Sequence, residues 1–173
     1  YQKRIDGIWI SRAYWYMKVV FRVDASGEVG FGHLSRCINL AEVLRSRGNE
    51  VSFVCRDDEA KSFSALEDRL FATVLLPMLS AGEVVNQQED AKQTIQALLG
   101  ERPEWLIVDT YMLDKVWERL MRPHVAKIAV IEDLSSREHD CDLLIDQNYS
   151  ERSATSFEKF VPKACELLLG PRF

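Results

Sequence analysis

Apolar residues fall along this chain in two alternating rhythms. Short unbroken runs rich in β-branched residues occupy 17–23, 50–55, 73–77, 105–108, 126–131 and 142–145. Each is too brief for a helix and is bounded by turn-forming or polar residues, so each reads as a buried strand. Between them, apolar residues recur every third or fourth position. Leu34, Cys37, Ile38, Ala41 and Leu44 predict a helix that starts at His33 and closes at Gly48. A second helix is expected over 59–70, and a third on the face formed by Ala91, Ile95, Leu98 and Leu99, closing at Gly100. A fourth is capped by Asp114, runs through Trp117, Leu120 and Met121, and is stopped by Pro123.

Strands that alternate with helices in this way imply βαβ units. The predicted fold class is therefore α/β, a Rossmann-like, doubly wound parallel sheet, without internal repeats or low-complexity segments. The first sixteen residues do not share the pattern. They hold five of the seventeen aromatic residues, Tyr1, Trp9, Tyr14, Trp15 and Tyr16, mixed with Lys3, Arg4, Asp6 and Arg12. They lack the continuous apolar stretch of a signal peptide. Residues 1–16 are expected to be an extension outside the domain at 17–173, the alternative being a docking segment that packs on the body or on a second copy. At the other end, the apolar run and Gly-Pro turn of ELLLGPRF read as a domain boundary.

Composition narrows the function. The 173 residues suit one domain, and 47% hydrophobic residues are enough to bury a core. With 22 Lys+Arg against 27 Asp+Glu the net charge is −5, which supplies no clustered cationic field for a nucleic acid. No apolar run is long enough to span a bilayer. Cys37, Cys55, Cys141 and Cys165 lie far apart in sequence, without a CxxC pair or a metal-ligand spacing. Reduced, buried thiols in a cytoplasmic protein are expected, with no metal and no cofactor.

In open α/β sheets, ligands bind beyond the carboxyl ends of the strands where the strand order switches. The predicted strand ends deliver Asp24, Ser26 and the turn Gly30-Phe31-Gly32-His33, then Asp109, Thr110 and Tyr111, then Glu132 and Asp133. A glycine-rich turn opening a helix favours an anion. A dinucleotide fingerprint is nevertheless poorly met, because the third glycine is missing and Arg36 stands nearby. There is no Walker lysine for a P-loop. A receiver-type site would need paired acids after the first strand and a lysine after a late one, where this chain has Asp24 alone and Glu132-Asp133. His33 is the sharpest candidate. The helix dipole at its position disfavours an imidazolium, leaving a ring able to take a proton from water, with Asp24 or Asp109 orienting the other ring nitrogen. Arg36, one turn on, either binds an anion or pairs with a carboxylate. His124 reads as a surface residue, and His139, within REHDCD, is open between a structural and a chemical reading.

Taken in order, RVDASGEVGFGHLSRCINLAEVL, VDTYMLDKVWE, IEDLSSREHDCDLLIDQNY and LLGPRF resemble the UDP-sugar hydrolases of the pseudaminic acid pathway. The resemblance runs from about Met17 to Phe173. It implies the N-terminal lobe of a two-domain GT-B architecture, with a C-terminal UDP-binding domain as the missing partner. It implies release of UDP from a UDP-2,4-diacetamido-2,4,6-trideoxyhexose, with His33 as the catalytic histidine and Tyr111 and Asp24 in the active site. Ser26, Gly30, Gly32, Arg36, Asp109 and Asp133 complete the expected sugar-binding set. Two positions depart from the family pattern: Thr110, where a histidine is expected, and Glu132, where an aspartate is expected. The alternatives are a glycosyltransferase lobe of the same architecture and a non-catalytic sugar-binding module.

Overall fold

The computed structural model describes residues 2–5, 8–11, 16–24, 32–56, 61–79, 84–148 and 157–171. Near the amino end, β1 (Gln2–Ile5) and β2 (Ile8–Ser11) pair antiparallel as a separate two-stranded sheet, an element the aromatic-rich pattern did not reveal.

The main sheet has seven strands, all parallel: β3 (Lys18–Val23), β4 (Glu50–Cys55), β5 (Ala72–Leu75), β6 (Trp105–Asp109), β7 (Lys127–Ile131), β8 (Leu143–Asp146) and β9 (Glu166–Leu169). Their spatial order is β5-β4-β3-β6-β7-β8-β9, the Rossmann-like α/β arrangement expected from the alternating pattern. The helices are α1 (Gly32–Ser46), α2 (Lys61–Glu67), α3 (Gln87–Ala97) and α4 (Lys115–Met121). β9 extends the sheet beyond the six predicted strands. A four-residue run carries little periodic signal, and what makes it a strand is its ladder with β8, in which Leu143 pairs with Glu166 and Asp146 with Leu169.

Period-two alternation sorts the core into two layers. Val19, Phe21 and Val23 of β3 face α1, where they meet Leu34, Cys37, Ile38 and Ala41. Phe21 stacks on Phe53 at 5.0 Å, and Phe71 meets Phe53 edge-on at 5.1 Å. The opposite face of the sheet, with Val20, Val54, Val108, Val130 and Leu144, packs on Trp117 and Met121 of α4 and Ala91 of α3. Arg22 shares that second face, a charge at 0% exposure inside an otherwise apolar strand.

Local chemistry sets the helix ends. Asn86 accepts from the N–H groups of Gln88 and Glu89 at the start of α3, and Asp114 accepts from Val116 N at 2.8 Å at the start of α4. Pro123 turns the chain after α4 into a short 3-10 segment, Arg122–His124. Gly48 and Gly100 follow α1 and α3 with φ of +89° and +81°, left-handed conformations that suit glycine. α2 ends earlier than its pattern suggests, because Leu70 takes φ +57° and Phe71 N folds back to Leu66 O at 3.1 Å. Among the described residues, no helix is long and apolar enough to cross a membrane.

Candidate functional site

The strand order reverses at β3, which has β4 on one side and β6 on the other. Connections leaving these neighbours diverge, and a crevice opens beyond their carboxyl ends. Register places Val23 beside Asp109 at this edge, and α1 begins here with Gly32 and His33.

Asp109 is the centre of the site. Its carboxylate is fully buried and accepts from His33 Nδ1 at 2.5 Å, from Arg36 Nε and Nη2 at 2.6 and 2.5 Å, and from the Cys37 thiol at 3.3 Å. Burial alone would raise its pKa. The hydrogen bonds and charges of Arg36 and His33 outweigh that and hold Asp109 below the ordinary carboxylate value. The Cys37 thiol, buried against this carboxylate, is pushed well above its usual pKa and stays protonated.

His33 Nδ1 also lies 2.9 Å from Arg36 Nη2. A guanidinium only donates, so one nitrogen cannot serve both neighbours. The shorter, charge-assisted contact with Asp109 makes Nδ1 the protonated nitrogen, and Arg36 is satisfied by the same carboxylate. In the neutral ring Nε2 then carries the lone pair, and it makes no hydrogen bond to any described residue. Tyr111 meets the His33 ring edge-on at 4.7 Å and donates its hydroxyl to Asp133 Oδ1 at 2.6 Å. Burial and that hydrogen bond push the phenol up to about 12, so it is a neutral donor near pH 7. The site thus offers an imidazole and a phenol at one edge, over a buried, charge-paired carboxylate.

Of the sequence candidates, the structure brings together His33, Arg36, Asp109, Tyr111 and Asp133. Arg36 pairs with the Asp109 carboxylate through Nε and Nη2. Asp24 stands at the same edge but turns elsewhere: it accepts from the Arg22 guanidinium and, at 3.1 Å, from Arg56 N. Asp109, and not Asp24, orients His33. Gly32 is exposed, and a Cβ there would meet nothing within 4 Å. Ser26 and Gly30 lie outside the described residues. Thr110 is buried and accepts from Met112 N at 3.3 Å, a turn contact.

Two buried polar networks lie behind the crevice. In the first, Asp90 of α3 accepts from Arg22, Arg56, Trp117 Nε1 and Thr94. In the second, His139 is held between Glu118 at 2.7 Å and Glu132 at 3.2 Å. Glu132 also accepts from Leu134 N at 2.7 Å and from Arg137, whose guanidinium binds the backbone carbonyls of Tyr111 and Leu113. The loop carrying Tyr111 is thereby tied to the loop after β7. His139, open in the sequence reading, is buried between these two carboxylates.

Burial lowers the His139 pKa, but its bonds to Glu118 and Glu132 outweigh this and raise it to about 9. An unfolded histidine titrates near 6.5. Below that value both states hold the proton and the full stabilisation is present; it is lost as pH rises toward 9. The expected loss is about 3 kcal/mol. The midpoint of urea unfolding should therefore fall between pH 6.5 and 9.5, and fall much less in His139→Gln. Equal slopes in the two proteins would remove His139 from the account.

The chain is 29% identical over 154 residues to the UDP-2,4-diacetamido-2,4,6-trideoxy-beta-L-altropyranose hydrolase of Campylobacter jejuni. The similarity covers 89% of this chain and 50% of that protein, so the chain spans about half the length of the curated relative it matches. The resemblance drawn from the motifs is upheld by this similarity. No family model matches the chain.

Proposed function

We propose that this chain is the sugar-holding, water-activating lobe of a nucleotide-sugar hydrolase. The substrate would be a UDP-2,4-diacetamido-2,4,6-trideoxyhexose, as the similarity to the Campylobacter enzyme suggests. The observation that carries the proposal is His33: its Nδ1 is fixed on buried Asp109 at 2.5 Å, which leaves Nε2 as an acceptor beside Tyr111.

In the proposed reaction, Nε2 takes a proton from a water as its oxygen attacks the anomeric carbon. The bond from that carbon to the UDP oxygen breaks, and the electron pair leaves with UDP. Asp109 stabilises the imidazolium that forms, as a buried acid does for a catalytic histidine. Tyr111, its one O–H given to Asp133, accepts from a sugar hydroxyl, and Asp24 at the end of β3 is a further sugar contact. A second, UDP-binding domain of a GT-B architecture would supply the other wall of the cleft.

Offering substrate with and without an acceptor tests this reading. UDP release in water alone supports a hydrolase. Release that demands an acceptor hydroxyl would assign a glycosyltransferase lobe, and binding without release a sugar-binding module. The 173-residue chain by itself is expected to unfold in one cooperative transition yet release little or no UDP. Turnover by the isolated chain equal to that of a two-domain protein would refute the division of labour between lobes.

A further inference from the structure

Cys141 and Cys165, 24 positions apart in sequence, meet in space with their Sγ atoms 3.5 Å apart. Parallel register brings this about. Leu143 of β8 pairs with Glu166 of β9, so Cys165 continues the register opposite Asp142 and Cys141 is its diagonal neighbour, one residue further back. The backbone is held on both sides of the contact: Asp142 N donates to Ile128 O at 2.8 Å, Glu166 N to Asp142 O at 2.9 Å, and Cys165 N to Pro162 O at 2.9 Å. Cys141 is 2% exposed, whereas Cys165 is only partly covered. The other two cysteines, Cys37 and Cys55, are buried in the opposite core layer, against α1.

We propose that Cys141 and Cys165 form a dithiol–disulfide couple, oxidised by exchange with a small-molecule disulfide, which staples the amino end of edge strand β9 to β8. The accessible Cys165 reacts first. Its thiolate attacks one sulfur of the disulfide, a Cys165–S bond forms, the small molecule's S–S bond breaks, and one thiolate leaves and takes up a proton. Cys141 then loses its proton to solvent and attacks the Cys165 sulfur, displacing the second thiolate, which is protonated in turn. Two protein thiols are oxidised to one disulfide, and one small disulfide is reduced to two thiols. The sulfurs must close from 3.5 Å to about 2.05 Å, a movement that side-chain rotation can supply between strands already in register.

The electrostatics give the same order of attack. With Cys141 as donor of the S–H···S contact, the Cys165 pKa is lowered against the opposing effect of burial. Cys141 is pushed up by that same bond and by burial. Once Cys165 is in a mixed disulfide, its sulfur carries no charge to oppose ionisation of Cys141.

The test uses the folded 173-residue chain in glutathione buffers of increasing oxidised fraction, read by intact mass and non-reducing peptide mapping. The expected product has lost the mass of two hydrogen atoms, has two thiols left of its four, and yields a joined peptide containing Cys141 and Cys165. Cys141→Ser should trap glutathione on Cys165, and Cys165→Ser should leave Cys141 unmodified in the folded protein. A wild-type chain that keeps all four thiols, or a disulfide that joins other cysteines, would overturn the proposal. A glutathione adduct on Cys141 in Cys165→Ser would overturn the order of attack.

Discussion

Replacing His33 with alanine, in a protein that carries this chain together with a UDP-binding domain, is expected to lower UDP release by about 10²–10⁴-fold, the range a positioned general base contributes. The fold should survive, because His33 stands at the first turn of α1 and the helix is anchored below it by Leu34, Cys37, Ile38 and Ala41. Asp109 also keeps Arg36 as a partner, so no buried charge is stranded. A companion change separates the base from its support. In Asp109→Asn, an amide N–H facing Nδ1 would favour the tautomer protonated at Nε2, the wrong one for accepting a proton from water. That variant should lose kcat while KM changes little. Free imidazole should restore part of the activity of His33→Ala. Near-normal UDP release by His33→Ala, with its thermal midpoint unchanged, would place the base elsewhere.

The parts of this molecule that were legible in the sequence are those written in short-range pattern. The strand runs of β3, β4, β6 and β7 announce themselves because parallel strands are buried on both faces and read as unbroken apolar stretches. The positions of His33, Asp109, Tyr111 and Asp133 at one sheet edge follow from that pattern once each is seen to close a strand or open a helix. What pattern could not supply is which carboxylate meets which base. Asp24 and Asp109 end neighbouring strands, and the choice between them is made by Arg22, whose guanidinium takes Asp24 from within the core. Arg22 was itself a readable signal, a lone charge between Phe21 and Val23. Its partner Asp90 was not: in QQEDAKQ it looks like one more solvated acid, and only the packing of α3 against the sheet buries it. The same holds for Cys141 and Cys165, whose meeting depends on the pairing of β8 with a strand too short to declare itself.

That hidden acid carries the largest expected effect on stability. Asp90 is 1% exposed and collects hydrogen bonds from Arg22 at 2.6 Å, Arg56 at 2.9 Å and Trp117 Nε1 at 2.9 Å. Burial alone would raise its pKa, but Arg22 and Arg56 together hold it below the ordinary carboxylate value, so it is ionised at neutral pH. Asp90→Ala leaves the Arg22 guanidinium, at 0% exposure, with Asp24 as its one remaining carboxylate partner among the described residues, and strips the Trp117 indole of its acceptor. Breaking a buried ion pair from one side costs about 3–5 kcal/mol, which in a domain of this size lowers Tm by roughly 6–20 °C. Urea unfolding checks the number through a lower midpoint at an unchanged slope. The origin of the loss is checked by adding Arg22→Met, which replaces the stranded cation with an apolar chain of similar length. If desolvated charge is the cause, Asp90→Ala with Arg22→Met should be more stable than Asp90→Ala alone. If the two losses simply add, packing and not charge holds this face of the sheet together. The same residues bear on the site, because Arg22 grips Asp24 at the end of β3. Asp90→Ala should therefore loosen the Asp24 edge of the crevice while leaving the His33–Asp109 pair, on the other side of the sheet, in place.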